Sequence, residues 1–251
     1  KWIGGIAGKI GAEIINNTKP ENMEPVIKKI PLKENQYIQD IHTKKHIILH
    51  HTAGGSAASS IAHWASNAER IATPYIIDRN GDIFECYDPK YWAYHLGVKG
   101  NSSIEKTSIG IEICSYGCLA IANQDDDKGH FKIGDAITYV GKKMDSSKIA
   151  TISPFRPNIN PFANNPLIKE KVTYTGTIFE AYTPQQIASL KVLLPYLVNK
   201  FKIKLQADKK DFWEYKDPSI LPSGIYSHTT VRKDKIDIFP QKELVDLVYS
   251  L

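Results

Sequence analysis

The sequence predicts an α/β protein with a central mixed β-sheet flanked by helices, carrying an inserted segment and an N-terminal extension. Short apolar runs rich in isoleucine alternate with amphipathic helix patterns, and this order of elements favours the class. The chain has 251 residues and a hydrophobic content of 42%. It is long for one such domain and short for two, so we expect one domain over residues 41–251, preceded by an extension and linker over residues 1–40.

The first predicted strand ends in two adjacent histidines. Residues 47–49 form a short apolar run, and the Ala-Gly-Gly-Ser stretch at 53–56 ends it. His50 or His51 therefore lies at a strand terminus. A single histidine in such a place is more often a packed residue than a metal ligand, so a metal site needs partners elsewhere.

The next elements follow from local signals. Residues 56–68 have the spacing of a helix, with Ser56 as the N-cap. Residues 75–78 and 82–86 flank Arg-Asn-Gly, which predicts a β-hairpin with glycine at the position that needs positive φ. A β-branched run at 107–115, interrupted by one acidic residue, predicts another strand.

The clearest helix signal begins at Thr183. Threonine suits the N-cap and Pro184 the first helical position, and four apolar residues follow at helical spacing, namely Ile187, Leu190, Leu194 and Leu197. A second helix is predicted to begin at Pro240.

Three segments lie outside this pattern. Residues 117–180 contain six large aromatic residues and four prolines between 154 and 166, so the insertion is predicted to be ordered, either as a wall of a groove or as a peripheral flap.

Residues 1–15 are too short and too charged to span a bilayer, and no signal peptide is visible. They predict either a membrane-surface or partner-binding helix or a glycine-rich arm packed on the domain, and we favour the arm. Residues 16–35 are typical of a linker. Lacking an initiator methionine, the chain is expected to be processed or trimmed.

Charge and cysteine content say little about function. The net charge is +5 and the pI about 8.9, which suits an anionic cell wall but also many other proteins. Three cysteines do not make a disulfide framework. Cys114 is expected to be a small buried hydrophobe.

Six short segments occur in the order in which one enzyme family carries them. They are Ile-Leu-His-His-Thr-Ala, Tyr-Ile-Ile-Asp-Arg-Asn-Gly-Asp-Ile, His-Leu-Gly, Ser-Ile-Gly-Ile-Glu, Tyr-Thr-Pro-Gln-Gln and the stretch from His228 to Asp237. Each is weak alone, but six in one order are specific. On these segments the chain resembles the zinc-dependent N-acetylmuramoyl-L-alanine amidases, the family that includes phage T7 lysozyme and the peptidoglycan recognition proteins.

The resemblance implies a zinc site. The ligand positions of the family fall on His50, His228 and Asp237, which would hold one Zn²⁺ per chain, and strand alternation would turn His51 to the opposite side. Cleaving an amide at neutral pH requires a strong nucleophile and stabilisation of the oxyanion. Zn²⁺ provides both, and three protein ligands leave its fourth position open.

The resemblance also implies the other site residues. Glu112 falls on the catalytic glutamate of the family, and a carboxylate at the end of an apolar strand is hard to explain by packing. Lys235 falls on a lysine thought to stabilise the oxyanion, and His95 on a histidine that lines the substrate cleft. Thr73 and Pro74 stand where phage-lysozyme-like members carry a tyrosine, which favours catalysis by the glutamate.

The function implied is hydrolysis of the amide between N-acetylmuramic acid and the L-alanine of the stem peptide, at the bacterial cell wall, by a phage or bacterial lysin. The expected partner is peptidoglycan or a muropeptide, with no nucleic acid and no transmembrane segment. The alternative is a non-catalytic peptidoglycan-binding module, which the same fold supports. The complete ligand set favours the enzyme. No His-Glu-x-x-His segment occurs, which disfavours an unrelated zinc hydrolase.

Overall fold

The computed structural model of the protein describes residues 24–98 and 102–251. Its main sheet has six strands, and all neighbouring pairs are parallel except β3 and β4, which form the predicted hairpin. The predicted mixed sheet is thereby confirmed. In spatial order the strands are β1 (Ile27–Lys29), β4 (Ile83–Glu85), β3 (Tyr75–Ile77), β5 (Ser108–Ile113), β2 (His46–His51) and β11 (Gly224–Ser227).

The two faces of the main sheet are covered by different helices. α3 (Pro184–Phe201) and α5 (Lys242–Ser250) pack on one face, against buried isoleucines and leucines of β2 and β5. α1 (Ala57–Ser66) packs on the other face, where Ile61 and Trp64 are buried. The flanking helices predicted from the sequence are confirmed. Of the described helices, none has the length and apolar character that crossing a bilayer requires.

Most predicted helix boundaries are confirmed by their caps. The Ser56 side chain accepts the N–H of Ser59, and Thr183 forms a full capping box with Gln186 ahead of Pro184. α5 begins two residues later than Pro240, with Gln241 as its N-cap residue. The Gln241 side chain accepts the backbone N–H of Tyr182 at 2.7 Å and donates to the Tyr182 carbonyl at 3.0 Å. These two hydrogen bonds fix the later start.

The predicted insertion forms two small sheets of its own. β6 (Ala120–Ala122) lies between β7 (Ala136–Ile137) and β9 (Val172–Thr173), and β8 (Ile149–Thr151) pairs with β10 (Ile178–Glu180). Three of its phenylalanines are buried in the core shared with α3 and the main sheet, namely Phe131, Phe162 and Phe179. The insertion is therefore ordered and packed into the domain, as its aromatic content predicts.

The predicted linker before the first strand contributes to the sheet. β1 pairs with β4 as an edge strand, although Lys28 and Lys29 are exposed. Lysines are common on edge strands, where they discourage pairing with other chains, so its composition resembles that of a linker. The predicted N-terminal arm, residues 1–15, lies outside the described residues.

The three cysteines, Cys86, Cys114 and Cys118, are free and buried. Cys114 is a small buried residue, as predicted.

Candidate active site

Two parallel strands place a histidine and a glutamate side by side. His50 of β2 is in register with Glu112 of β5. Side chains in register on neighbouring strands point to the same face, and the strands are about 4.8 Å apart. His51 turns to the opposite face, as strand alternation predicts, and its Nδ1 lies 3.1 Å from the Tyr182 hydroxyl. β2 therefore offers His50 to the site and His51 to the core.

The other two candidate ligands lie at the start of helix α4 (His228–Val231) and in the loop after it. His228 follows β11 directly, and Asp237 ends the loop after α4. His50 Nδ1 lies 3.0 Å from His228 Nδ1 and 3.3 Å from Asp237 Oδ2, and His228 Nδ1 lies 2.9 Å from the same oxygen. Both histidines are buried, and Asp237 is 14% exposed. Three donor atoms from distant parts of the chain thus meet at one point.

A backbone carbonyl determines which nitrogen of His228 faces this point. His228 Nε2 lies 2.9 Å from the carbonyl oxygen of Leu96. Because a carbonyl only accepts, we assign the ring proton to Nε2, which leaves a lone pair on Nδ1. Arg232 donates to the same carbonyl at 3.1 Å and holds it in place.

A chain of hydrogen bonds orients His50 in a similar way. Ser108 Oγ donates to the Glu105 carbonyl and lies 2.8 Å from His95 Nε2, so we assign the proton of His95 to Nε2. His95 Nδ1 is then an acceptor, and His50 Nε2 donates to it at 2.9 Å. His50 Nδ1 is left with a lone pair that faces His228 and Asp237. A partner on the far nitrogen is the usual device that fixes a ligating histidine.

The Glu105 carboxylate holds the segment that carries both of these partners. Glu105 belongs to α2 (Ser102–Thr107), is 2% exposed, and accepts the backbone N–H groups of His95, Leu96 and Gly97 at 2.9 to 3.2 Å. Burial raises the pKa of Glu105, and the three N–H donors act in the opposite direction. One side chain thus fixes the ring behind His50 and the carbonyl behind His228.

Gly110 leaves room for this arrangement. A Cβ at Gly110 would lie 3.0 Å from His95 Nδ1 and 2.6 Å from Thr73 Cγ2. The glycine in Ser-Ile-Gly-Ile-Glu is therefore explained by the close approach of a side chain to the strand backbone.

The charges at the site follow from burial and neighbours. Burial, with a smaller contribution from Asp237, raises the pKa of Glu112 to about 8, and its Oε2 is buried without a hydrogen-bond partner among the described residues. Burial, followed by the proximity of His228, lowers the pKa of His50 to about 4. Burial acts to raise the pKa of Asp237, but the imidazoles of His228 and His50 outweigh it and hold this pKa well below its usual value. At neutral pH, Glu112 is therefore poised to exchange a proton beside a neutral imidazole and a carboxylate.

All the site residues predicted from the sequence line one cavity of about 580 Å³. His95 contributes little surface to it, because its side chain is 4% exposed and its ring bonds to His50 and Ser108. The residues are His50, His95, Glu112, His228, Lys235 and Asp237.

Sequence reasoning missed Glu105 and Ser108. Ser108 lies on the face of β5 that also carries Gly110 and Glu112, so strand alternation offered a signal for it. Glu105 gave none, because a carboxylate that accepts three backbone N–H groups has no sequence pattern of its own.

The meeting point of His50, His228 and Asp237 fits a zinc ion. Two imidazole nitrogens and a carboxylate oxygen are ligands that zinc takes, and ligands bound at about 2.0–2.1 Å in a tetrahedron are about 3.3 Å apart. The measured separations of 2.9 to 3.3 Å are close to this value. Three lone pairs that face one another also favour a cation between them.

The model of a family described as N-acetylmuramoyl-L-alanine amidase matches residues 41–240 of the chain. No curated protein sequence matches it significantly. Solved structures with similar folds include PlyL, at 10% identity and a TM-score of 0.43, with 84% of each chain covered. The amidase LysC from Clostridium intestinale URNW has 15% identity and a TM-score of 0.43, with 90% of this chain and 99% of that chain covered. A selenomethionine derivative of AmpD has 14% identity and a TM-score of 0.43, with 85% and 88% covered.

Proposed function

Because the chain belongs to the N-acetylmuramoyl-L-alanine amidase family, we propose that it is a zinc-dependent peptidoglycan hydrolase. It cleaves the amide between N-acetylmuramic acid and the L-alanine of the stem peptide, at the bacterial cell wall, as a phage or bacterial lysin. The observation that carries the proposal is the meeting of His50 Nδ1, His228 Nδ1 and Asp237 Oδ2 within 3.3 Å of one another, beside Glu112.

His50, His228 and Asp237 would hold one zinc ion per chain. When bound, zinc supplies Lewis acidity toward the carbonyl oxygen of the scissile amide and makes a water nucleophilic at neutral pH. The protein contributes the orientation of the ligands. The Leu96 carbonyl and the His95 ring fix the two imidazoles, so that little reorganisation accompanies metal binding.

Glu112 acts as the general base. Its Oε2 is buried without a hydrogen-bond partner among the described residues. Because Glu112 is in register with His50, its carboxylate is placed to accept a proton from the attacking water and return that proton to the leaving amine.

Lys235 lines the same cavity on the loop that leads to Asp237. Its ammonium group donates to the oxygen of the amide carbonyl as negative charge develops there. A module that only binds peptidoglycan has no use for a general base and an oxyanion donor beside three metal ligands. The enzyme is therefore the better supported alternative.

The test is cleavage of purified cell walls by the protein with its metal content measured. We expect one zinc per chain, and release of stem peptides with a free L-alanine amino terminus without new reducing sugar ends. New reducing ends without free amino termini would indicate a glycosidase. Binding of the walls without cleavage, by protein that contains zinc, would favour the recognition module.

A further inference from the structure

The cavity has a wall that belongs to the insertion. This insertion wall consists of five side chains of the insertion that line the same cavity as the candidate catalytic residues, namely Tyr139, Ile159, Asn160, Pro161 and Asn164. The segment lies outside the strands that carry His50 and Glu112. It carries none of the three candidate ligands and neither Glu112 nor Lys235, so its side chains are available to bind the rest of the substrate.

The insertion wall is held rigidly. Residues Pro161–Asn164 form a 3-10 helix whose N-cap is Asn160, which accepts the N–H of Phe162 at 2.9 Å. Phe162 is buried in the core beneath it. Arg156 donates to the backbone carbonyls of Thr229 and Lys233, at 2.9 and 2.7 Å, and so joins this segment to the loop between two candidate ligands. A wall fixed in advance loses little conformational entropy when a ligand binds.

The chemistry of the insertion wall is neutral and amphipathic. It presents an aromatic ring, two apolar side chains and two carboxamides, and no charged side chain. Asn160 keeps its amide nitrogen, and Asn164 its whole side-chain amide, without a hydrogen-bond partner among the described residues. Tyr139 is 39% exposed. A surface of this kind matches a neutral ligand with apolar faces and amide groups.

Two parts of peptidoglycan extend from the muramic acid, the glycan strand and the stem peptide. The glycan strand carries acetamido groups, hydroxyls and apolar sugar faces, whereas the stem peptide carries free carboxylates that call for cations. A second cavity, of about 230 Å³, lies on the other side of Glu112 and is lined by α1 residues that include His63 and Ser59. The uncharged glycan strand therefore suits the insertion wall better than the stem peptide does.

We propose that the insertion wall is a binding site for the N-acetylated sugars of the glycan strand, next to the muramic acid whose amide is cleaved. This inference rests on the proposed function, because that function places muramic acid at Glu112. It makes the enzyme prefer substrates with several sugars to a single muramyl peptide, since contacts remote from the scissile bond contribute to kcat/KM.

The experiment compares two substrates that share one dipeptide, a muramyl dipeptide and the corresponding tetrasaccharide dipeptide. The wild-type protein should favour the tetrasaccharide in kcat/KM. In the variant Asn160→Ser/Asn164→Ala this preference should fall about tenfold, the scale of two lost hydrogen bonds. Serine keeps the N-cap, and Asn164→Ala alone serves as the milder variant. The matched control is Asn158→Ala, an exposed asparagine of the same segment that does not line the cavity.

Calorimetry with the tetrasaccharide of N-acetylglucosamine separates this inference from the proposed function. Binding that weakens about tenfold in Asn160→Ser/Asn164→Ala, and stays at the wild-type value in Asn158→Ala, supports the insertion wall. If the protein cleaves muramyl peptides but does not bind the tetrasaccharide, the proposed sugar-binding site is wrong and the proposed function stands. The proposed sugar-binding site is also wrong if Asn160→Ser/Asn164→Ala loses a preference for longer peptides but keeps the preference for longer glycans. Binding of the tetrasaccharide without cleavage of any muramyl peptide overturns the function alone.

Discussion

The imidazole of His50 lies edge-on to that of His95, with ring centroids 5.0 Å apart and Nε2 2.9 Å from Nδ1. His95 is thus placed behind a candidate ligand and in contact with Ser108.

His95→Phe keeps a ring in the space but removes both nitrogens. We expect zinc affinity to fall about 10- to 100-fold, the usual effect of losing the partner of a ligating histidine. Competition with a chelator measures it. His130→Phe, at an exposed histidine far from the cavity, is the control. Unchanged affinity in His95→Phe would assign His95 to substrate contact alone.

The ligand set gives a second prediction. His50→Ala, His228→Ala and Asp237→Ala should each lose zinc and activity together, because two ligands make an incomplete site. Metal content and wall cleavage are measured on the same preparations. A variant that keeps one zinc per chain at full rate would remove its residue from the ligand set.

The third prediction concerns Glu112. Glu112→Gln keeps the shape of the side chain but cannot accept a proton. We expect zinc to be retained and turnover to fall about 10²-fold or more. Wild-type turnover in this variant would show that the proton goes to another group.

The pKa of Glu112 leads to a fourth prediction, for the metal-free protein. This carboxyl has a pKa of about 8 in the folded state, against 4.5 for a glutamate exposed to water. Between pH 4.5 and pH 8 the folded state binds more protons than the unfolded state, so the free energy of unfolding falls as the pH rises through this range. Above pH 8 the whole destabilisation is present. Relative to Glu112→Gln, the free energy of unfolding of the wild type should fall by at most about 1.4 kcal/mol per pH unit. Urea unfolding of both proteins at pH 5 and pH 8 measures this, and parallel pH profiles would contradict it.

A stack of aromatic rings gives the fifth prediction. Phe179 of the insertion stacks on Phe239, at 4.4 Å between centroids, and Phe239 lies two residues after Asp237. Phe179→Ala should reduce stability by about 3–5 kcal/mol and also weaken zinc binding, because it loosens the end of the ligand loop. Phe131→Ala removes another buried phenylalanine of the insertion, which lacks this stack. It should reduce stability but leave zinc affinity unchanged. Equal zinc affinity in both variants would show that the stack serves packing only.

The elements of the fold were predictable where the signal is local. The strand ending at His51, the hairpin at Gly81 and the helix capped by Thr183 each depend on neighbours in sequence, and all three are confirmed. β1 was not predictable, because a three-residue edge strand with two exposed lysines has the composition of a linker.

The site was predictable in part. The family resemblance selected His50 of the adjacent pair, and strand alternation predicted that His51 turns to the opposite side. The register that puts His50 beside Glu112 is a finding of the structure. The role of Arg156 was hidden, because it bonds to backbone carbonyls more than 70 residues away, and carbonyls carry no residue-type signal. Arg156 and Phe179 connect the insertion to the loop that carries Asp237, and neither contact has a local sequence signal.

The parallel pairing of β11 with β2 determines when, during folding, the candidate site is completed. His50 precedes His228 by 178 residues, and the donor atoms meet only when β11 docks at the edge of the sheet. A nascent or truncated chain that stops before Asp237 lacks part of the cluster, whatever else has folded. For the proposed zinc site, recovery of metal binding during refolding would therefore report completion of the sheet.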